Sequence, residues 1–81
     1  MAYVTIEKDG EPWMYCHSMH DADLERQMSE ARAKAPSSTF THRLSTPIES
    51  QHCSDAMDAE GGLMEDTFKF FAVPVVDDLA A

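Results

Sequence analysis

The stretch YVTIEKDGEPWMYC, residues 3–16, decides how the fold begins. Polar and apolar residues alternate in its first part, and Val4 and Ile6 share one side, as in a half-buried β-strand. The Asp9-Gly10 pair accepts the positive φ angles of a type I′ turn, and the residues that follow it are again strand-like. The chain is therefore predicted to open with a β-hairpin.

A helix is predicted next, because apolar residues recur at helical spacing on one stripe: Leu24, Met28, Ala31 and Ala35. The segment from Ser18 to Asp21 matches the capping-box spacing loosely. Acidic residues stand in the first turns and basic residues in the last, which suits the helix macrodipole at both ends. Pro36 disfavours helical geometry at the residue before it and should end this helix.

Two more elements follow the first helix. Residues 39–44 alternate Phe40, His42 and Leu44 with polar residues, which predicts a third strand. Thr46-Pro47-Ile48-Glu49 then predicts a helix start, with Thr46 as N-cap, Pro47 at the first position and Glu49 reaching back to the cap. The apolar side of this second helix is narrow, and we expect Gly61-Gly62 to stop it; its apolar members are Ile48, His52 or Cys53, Ala56 and Met57.

Residues 67–76 are rich in Phe and Val and predict a last strand, in which Pro74 indicates an edge position or a bulge. The predicted fold class is therefore α+β: an N-terminal β-hairpin, a helix, a strand, a second helix and a C-terminal strand. We expect an antiparallel sheet with both helices on one face. Residues 1–76 should form a single domain, with residues 77–81 as a short acidic tail.

Length and charge limit what this domain can do. A chain of 81 residues has too few apolar side chains for two cores. Its formal net charge of −9 makes direct nucleic-acid binding improbable, and its 43% hydrophobic content excludes the disordered class. The first ten residues are too polar for a signal peptide, and no apolar run is long enough for a membrane span. We expect a cytoplasmic protein that does not bind membranes.

Cysteine and histidine offer the strongest candidate chemistry. A weak zinc alternative would use Cys16, His20, His52 and Cys53. The second half of this set supplies adjacent residues, whose side chains diverge, so both cysteines are better interpreted as reduced and buried. The chain also lacks the nucleophile, phosphate-loop and metalloprotease motifs. We therefore expect no enzyme activity, no catalytic residue and no cofactor.

Acidity is concentrated in the second half of the chain. Residues 1–44 carry a formal net charge of −2. Residues 45–81 contain eight acidic residues and one Lys, a formal net charge of −7. An acidic face on helix two and its flanks is the candidate partner-binding site, formed by Glu49, Asp55, Asp58, Glu60, Glu65 and Asp66. Such a surface attracts a basic partner and can occupy a groove built for phosphates.

The strand aromatics are a second interaction feature. Trp13 and Tyr15 are expected on one face of the hairpin, while Phe68, Phe70 and Phe71 lie in the last strand. Most should be core residues, because a domain this small needs its large apolar side chains inside. Trp13 or Phe71 on the outer face would anchor a partner, and an exposed strand edge would pair with a second copy.

In size, acidity and layout the chain resembles phage-encoded inhibitors of bacterial defence, in particular the anti-CRISPR proteins. That resemblance implies a small acidic binding protein of the host cytoplasm. It would inhibit a nucleic-acid-binding effector, such as a CRISPR effector subunit, by presenting its negative surface to a basic groove. The alternative function is a dimeric protein–protein interaction module, of toxin–antitoxin or housekeeping type, that binds through a sheet edge or an aromatic face. A small zinc-binding protein is the third candidate.

Overall fold

A computed structural model of the chain describes residues 2–60 and 70–75. Their secondary structure is β1 (Ala2–Lys8), β2 (Glu11–Ser18), α1 (Asp21–Lys34), β3 (Phe40–Leu44), α2 (Pro47–Ala59) and β4 (Phe70–Pro74). The predicted order of hairpin, helix, strand, helix and strand is confirmed, and so is the α+β class. Residues 67–69 and 76 of the predicted last strand, the Gly61-Gly62 helix stop and the tail at 77–81 lie outside the described residues.

The four strands form one antiparallel sheet in the order β3-β1-β2-β4. The hairpin of β1 and β2 is its centre, and its turn has the expected positive φ angles, 54° at Asp9 and 87° at Gly10. Strand β4 lies at one edge. Pro74 is tolerated there because its ring nitrogen faces away from β2, so the ladder loses no hydrogen bond.

The helices lie on opposite faces of this sheet, and the expectation that they share one face is wrong. Helix α1 packs through Leu24 and Met28 against Val4 and Cys16, on what we name the α1 face. Helix α2 packs on the other side, named the α2 face. Its Cys53 and Met57 pack there against aromatic and branched side chains of β1, β2 and β4, namely Tyr3, Tyr15, Phe71 and Val73.

Both faces of the central strands are buried, which explains why their alternating sequence pattern wrongly suggested that both helices cover one face. Val4 is 7% exposed on the α1 face, and its neighbour Thr5 is 0% exposed on the α2 face. Alternation of Val with Thr is typical of a strand with one wet side. Here the polar member of the pair is buried beneath α2, where its hydroxyl is hydrogen-bonded.

A β-bulge changes the direction of one aromatic side chain. The register between β1 and β2 shifts between Ile6 and Glu7, so that Trp13 has no partner on β1. Its indole therefore packs on the α1 face, with its ring centroid 5.1 Å from that of Phe40. The expectation that Trp13 and Tyr15 share a face is wrong, because Tyr15 packs on the α2 face.

The two helices begin differently. The N-cap of α1 is His20, whose side chain makes no capping bond, and the Ser18 hydroxyl donates instead to the His20 carbonyl at 2.7 Å. The loosely matched capping box at this end is therefore absent. At the start of α2 the predicted box is confirmed: Thr46 Oγ1 accepts from the Glu49 amide, and the Glu49 carboxylate accepts from the Thr46 amide.

Candidate functional site

Three of the six acidic residues proposed for a partner-binding face are exposed on or beside α2. Asp55 and Asp58 lie on the outward side of the helix, and Glu60 follows it as the C-cap. Asp55 Oδ1 accepts a hydrogen bond from the side-chain amide of Gln51, one turn earlier, at 2.8 Å. Glu65 and Asp66 lie outside the described residues.

Glu49 does not belong to this face, which corrects the sequence-based assignment. It is only 7% exposed and faces the sheet from the first turn of α2. The stripe that docks α2 is Glu49, Cys53 and Met57, at a spacing of four residues. Ile48, which the sequence suggested for the docked stripe, is instead 64% exposed.

The buried carboxylate forms a bidentate ion pair with Arg43 of β3. Arg43 Nη1 donates to Glu49 Oε1 at 2.7 Å and Nη2 to Oε2 at 2.9 Å. Arg43 Nε donates to Glu7 at 3.1 Å, so one guanidinium joins β1, β3 and α2. We name Arg43, Glu49 and Glu7 the arginine clamp.

Hydroxyl groups complete the clamp from the sheet side. Thr5 Oγ1 donates to Glu49 Oε1 at 3.0 Å, which uses its single proton. Ser45 Oγ, 2.8 Å away, must therefore donate to Thr5. With the Thr46 amide at 2.8 Å, the carboxylate of Glu49 accepts hydrogen bonds from three residues.

The clamp shifts the titration of both charged partners. Hydrogen bonding to Arg43, helped by the Thr46 amide and the Thr5 hydroxyl, lowers the pKa of Glu49 to about 2, although burial acts in the opposite direction. The pKa of Arg43 is raised, mainly by its hydrogen bond to Glu49 and then by that to Glu7. Glu49 and Arg43 are therefore charged at neutral pH and compensate each other, so neither is available to a partner as a free charge.

The acidic residues on the outward side of α2 have no Lys or Arg near them in the sequence to compensate their charge. Between residues 47 and 60 the chain contains no Lys or Arg, and the last turn of α2 has no basic residue. The C-terminal end of a helix carries partial negative charge, so Asp58 and Glu60 stand where acids are unfavourable by about 0.3–1 kcal/mol each. Their position is not explained by helix stability.

The proposed zinc ligands are not brought together. Cys16 is buried on the α1 face and Cys53 on the α2 face, while His20 is exposed at the start of α1. His52 lies beside Tyr15, with the ring centroids 6.2 Å apart. Among residues 2–60 and 70–75, no group of three His, Cys, Asp or Glu side chains is placed to hold a metal ion.

Both cysteines are free and buried, as expected for reduced thiols. Burial raises the pKa of Cys16 to about 12, with a smaller contribution from Cys53, and burial raises that of Cys53 to about 11. Both therefore stay protonated at neutral pH, whereas a nucleophilic cysteine must be a thiolate.

The expected aromatic residues are packed within the fold, and the outer edge of β3 is occupied in part. Trp13 packs against Phe40 on the α1 face, and Phe71 packs against the core of the α2 face. On the outer edge of β3, Arg32 donates to the Phe40 carbonyl at 3.3 Å and Arg43 to the Leu44 carbonyl at 3.2 Å. Two acceptors that an added strand would use are therefore already bonded.

Sequence reasoning missed Arg43 and two exposed apolar residues, Leu44 and Ile48. A signal for Arg43 was present, because it is the only Lys or Arg between Lys34 and Lys69. Its partner was not evident, since Glu49 already had a role in the capping box. Leu44 fitted the alternation of the third strand and Ile48 the apolar side of the second helix, so neither was expected to be exposed.

Comparison with protein-family models, curated proteins and solved structures finds no match to this chain. Neither helix in the described part of the chain has the length and apolar character needed to cross a bilayer.

Proposed function

We propose that the protein is an acidic binding protein that occupies a basic groove of a nucleic-acid-binding bacterial effector and thereby inhibits it. The observation that carries this proposal is the outward side of α2. Asp55, Asp58 and Glu60 are exposed there, and the chain has no Lys or Arg between residues 47 and 60.

The placement of these acids supports binding over a purely structural role. Exposed acids confer solubility wherever they stand, but at the C-terminal end of a helix they also oppose its dipole. In α1 the charges near the two ends are of both signs and match the dipole, with Asp21 and Asp23 in the first turn and Arg32 and Lys34 in the last. Residues at a position where they lower stability are commonly functional.

A basic groove is the partner that this surface complements. Lys and Arg that line a phosphate-binding groove create a positive potential, which speeds encounter with an acidic protein and favours it at low salt. The anti-CRISPR-like layout suggests a CRISPR effector subunit as the target, which would place the protein in the cytoplasm of the host. Contact is proposed with the effector protein and not with nucleic acid.

The test compares three forms of the full chain as competitors for duplex DNA. The first is the wild type, and the second carries Asp55→Asn, Asp58→Asn and Glu60→Gln. The third is a matched control that removes the same number of exposed acids from α1, with Asp21→Asn, Glu25→Gln and Glu30→Gln. Fluorescence anisotropy reports labelled duplex displaced from a panel of purified RNA-guided effectors.

We expect the wild type and the α1 control to displace DNA at low salt, and the α2 variant to require at least tenfold higher concentration. Raising the salt concentration towards physiological values should narrow the difference, because exposed charges are screened. Equal displacement by all three forms would remove the α2 surface from the mechanism. Absence of displacement from every effector in the panel would contradict the proposed inhibition.

A further inference from the structure

We draw no further inference here: the strongest candidate, the outer edge of β4, has no neighbouring strand among residues 2–60 and 70–75, and nothing in the structure shows what covers it.

Discussion

Helices α1 and α2 have nearly equal lengths, 14 and 13 residues, but they are held and charged in different ways. Helix α1 docks through an apolar stripe that includes Leu24 and Met28, and its terminal charges match its dipole. Helix α2 docks through a buried carboxylate as well as apolar residues, and its last turn is acidic without a base. The first has terminal charges that match its dipole, whereas the second combines a firmly fixed start with acids in its last turn that oppose its dipole.

The largest expected effect concerns the arginine clamp, which α1 does not have. Glu49→Ala leaves the Arg43 guanidinium without its bidentate partner and removes half of the capping box. We expect a loss of about 3 kcal/mol in the free energy of unfolding, at the lower end for broken buried pairs because Arg43 is partly exposed. Urea denaturation measures it. The matched change Glu30→Ala, on the exposed side of α1, should stay within about 0.5 kcal/mol.

The same carboxylate should make α2 the acid-sensitive helix. The native pKa of Glu49, about 2, lies below the usual value of 4.5, so the unfolded chain takes up this proton first as the pH falls. The contribution of Glu49 is complete above pH 4.5 and is lost progressively towards pH 2. Unfolding free energies measured across this window should fall more steeply for the wild type than for Glu49→Gln. Parallel profiles would contradict the assignment.

A smaller difference is expected between the two N-caps. Thr46→Ala removes a capping hydrogen bond and should lower the unfolding free energy by about 1 kcal/mol. His20→Ala should change it by no more than about 0.5 kcal/mol, because the His20 side chain makes no capping bond. Thermal or urea denaturation of the two variants side by side tests this. Equal losses would show that α1 has a cap that the structure does not contain.

The smallest expected effect concerns the C-terminal ends of the two helices. Asp58→Lys should stabilise the protein by about 0.3–1 kcal/mol, because it places a cation at the negative end of the α2 dipole. Lys34→Glu makes the opposite change in α1 and should destabilise by a similar amount. High salt should shrink both differences in urea unfolding. A loss of stability in Asp58→Lys would remove the argument that this acid is kept at an unfavourable position.

Local signals in the sequence predicted the elements well. The Asp9-Gly10 pair specified the hairpin turn, and Thr46 with Glu49 specified the start of α2. These features depend on backbone preferences of neighbouring residues, which a sequence displays directly. The acids at positions 55, 58 and 60 were likewise predicted to be exposed, on the basis of their charge alone.

What the sequence did not predict depends on contacts between distant residues. The position of α2 follows from burial of Thr5 beneath Glu49, two polar residues that pattern reasoning assigns to solvent. The direction of Trp13 follows from a one-residue bulge, which has no separate signal in composition. Glu49 was assigned to the acidic face because its charge was evident and its partner Arg43, on another element, was not.

We propose that the acids at the end of α2 serve binding at the expense of stability. It is tested most directly by measuring Asp58→Asn twice: its free energy of unfolding, and its affinity at low salt for a synthetic Lys-rich helical peptide. The account predicts opposite signs, with stability equal to or above that of the wild type and affinity reduced at least threefold. Unchanged affinity together with reduced stability would contradict it, because Asp58 would then be a structural residue.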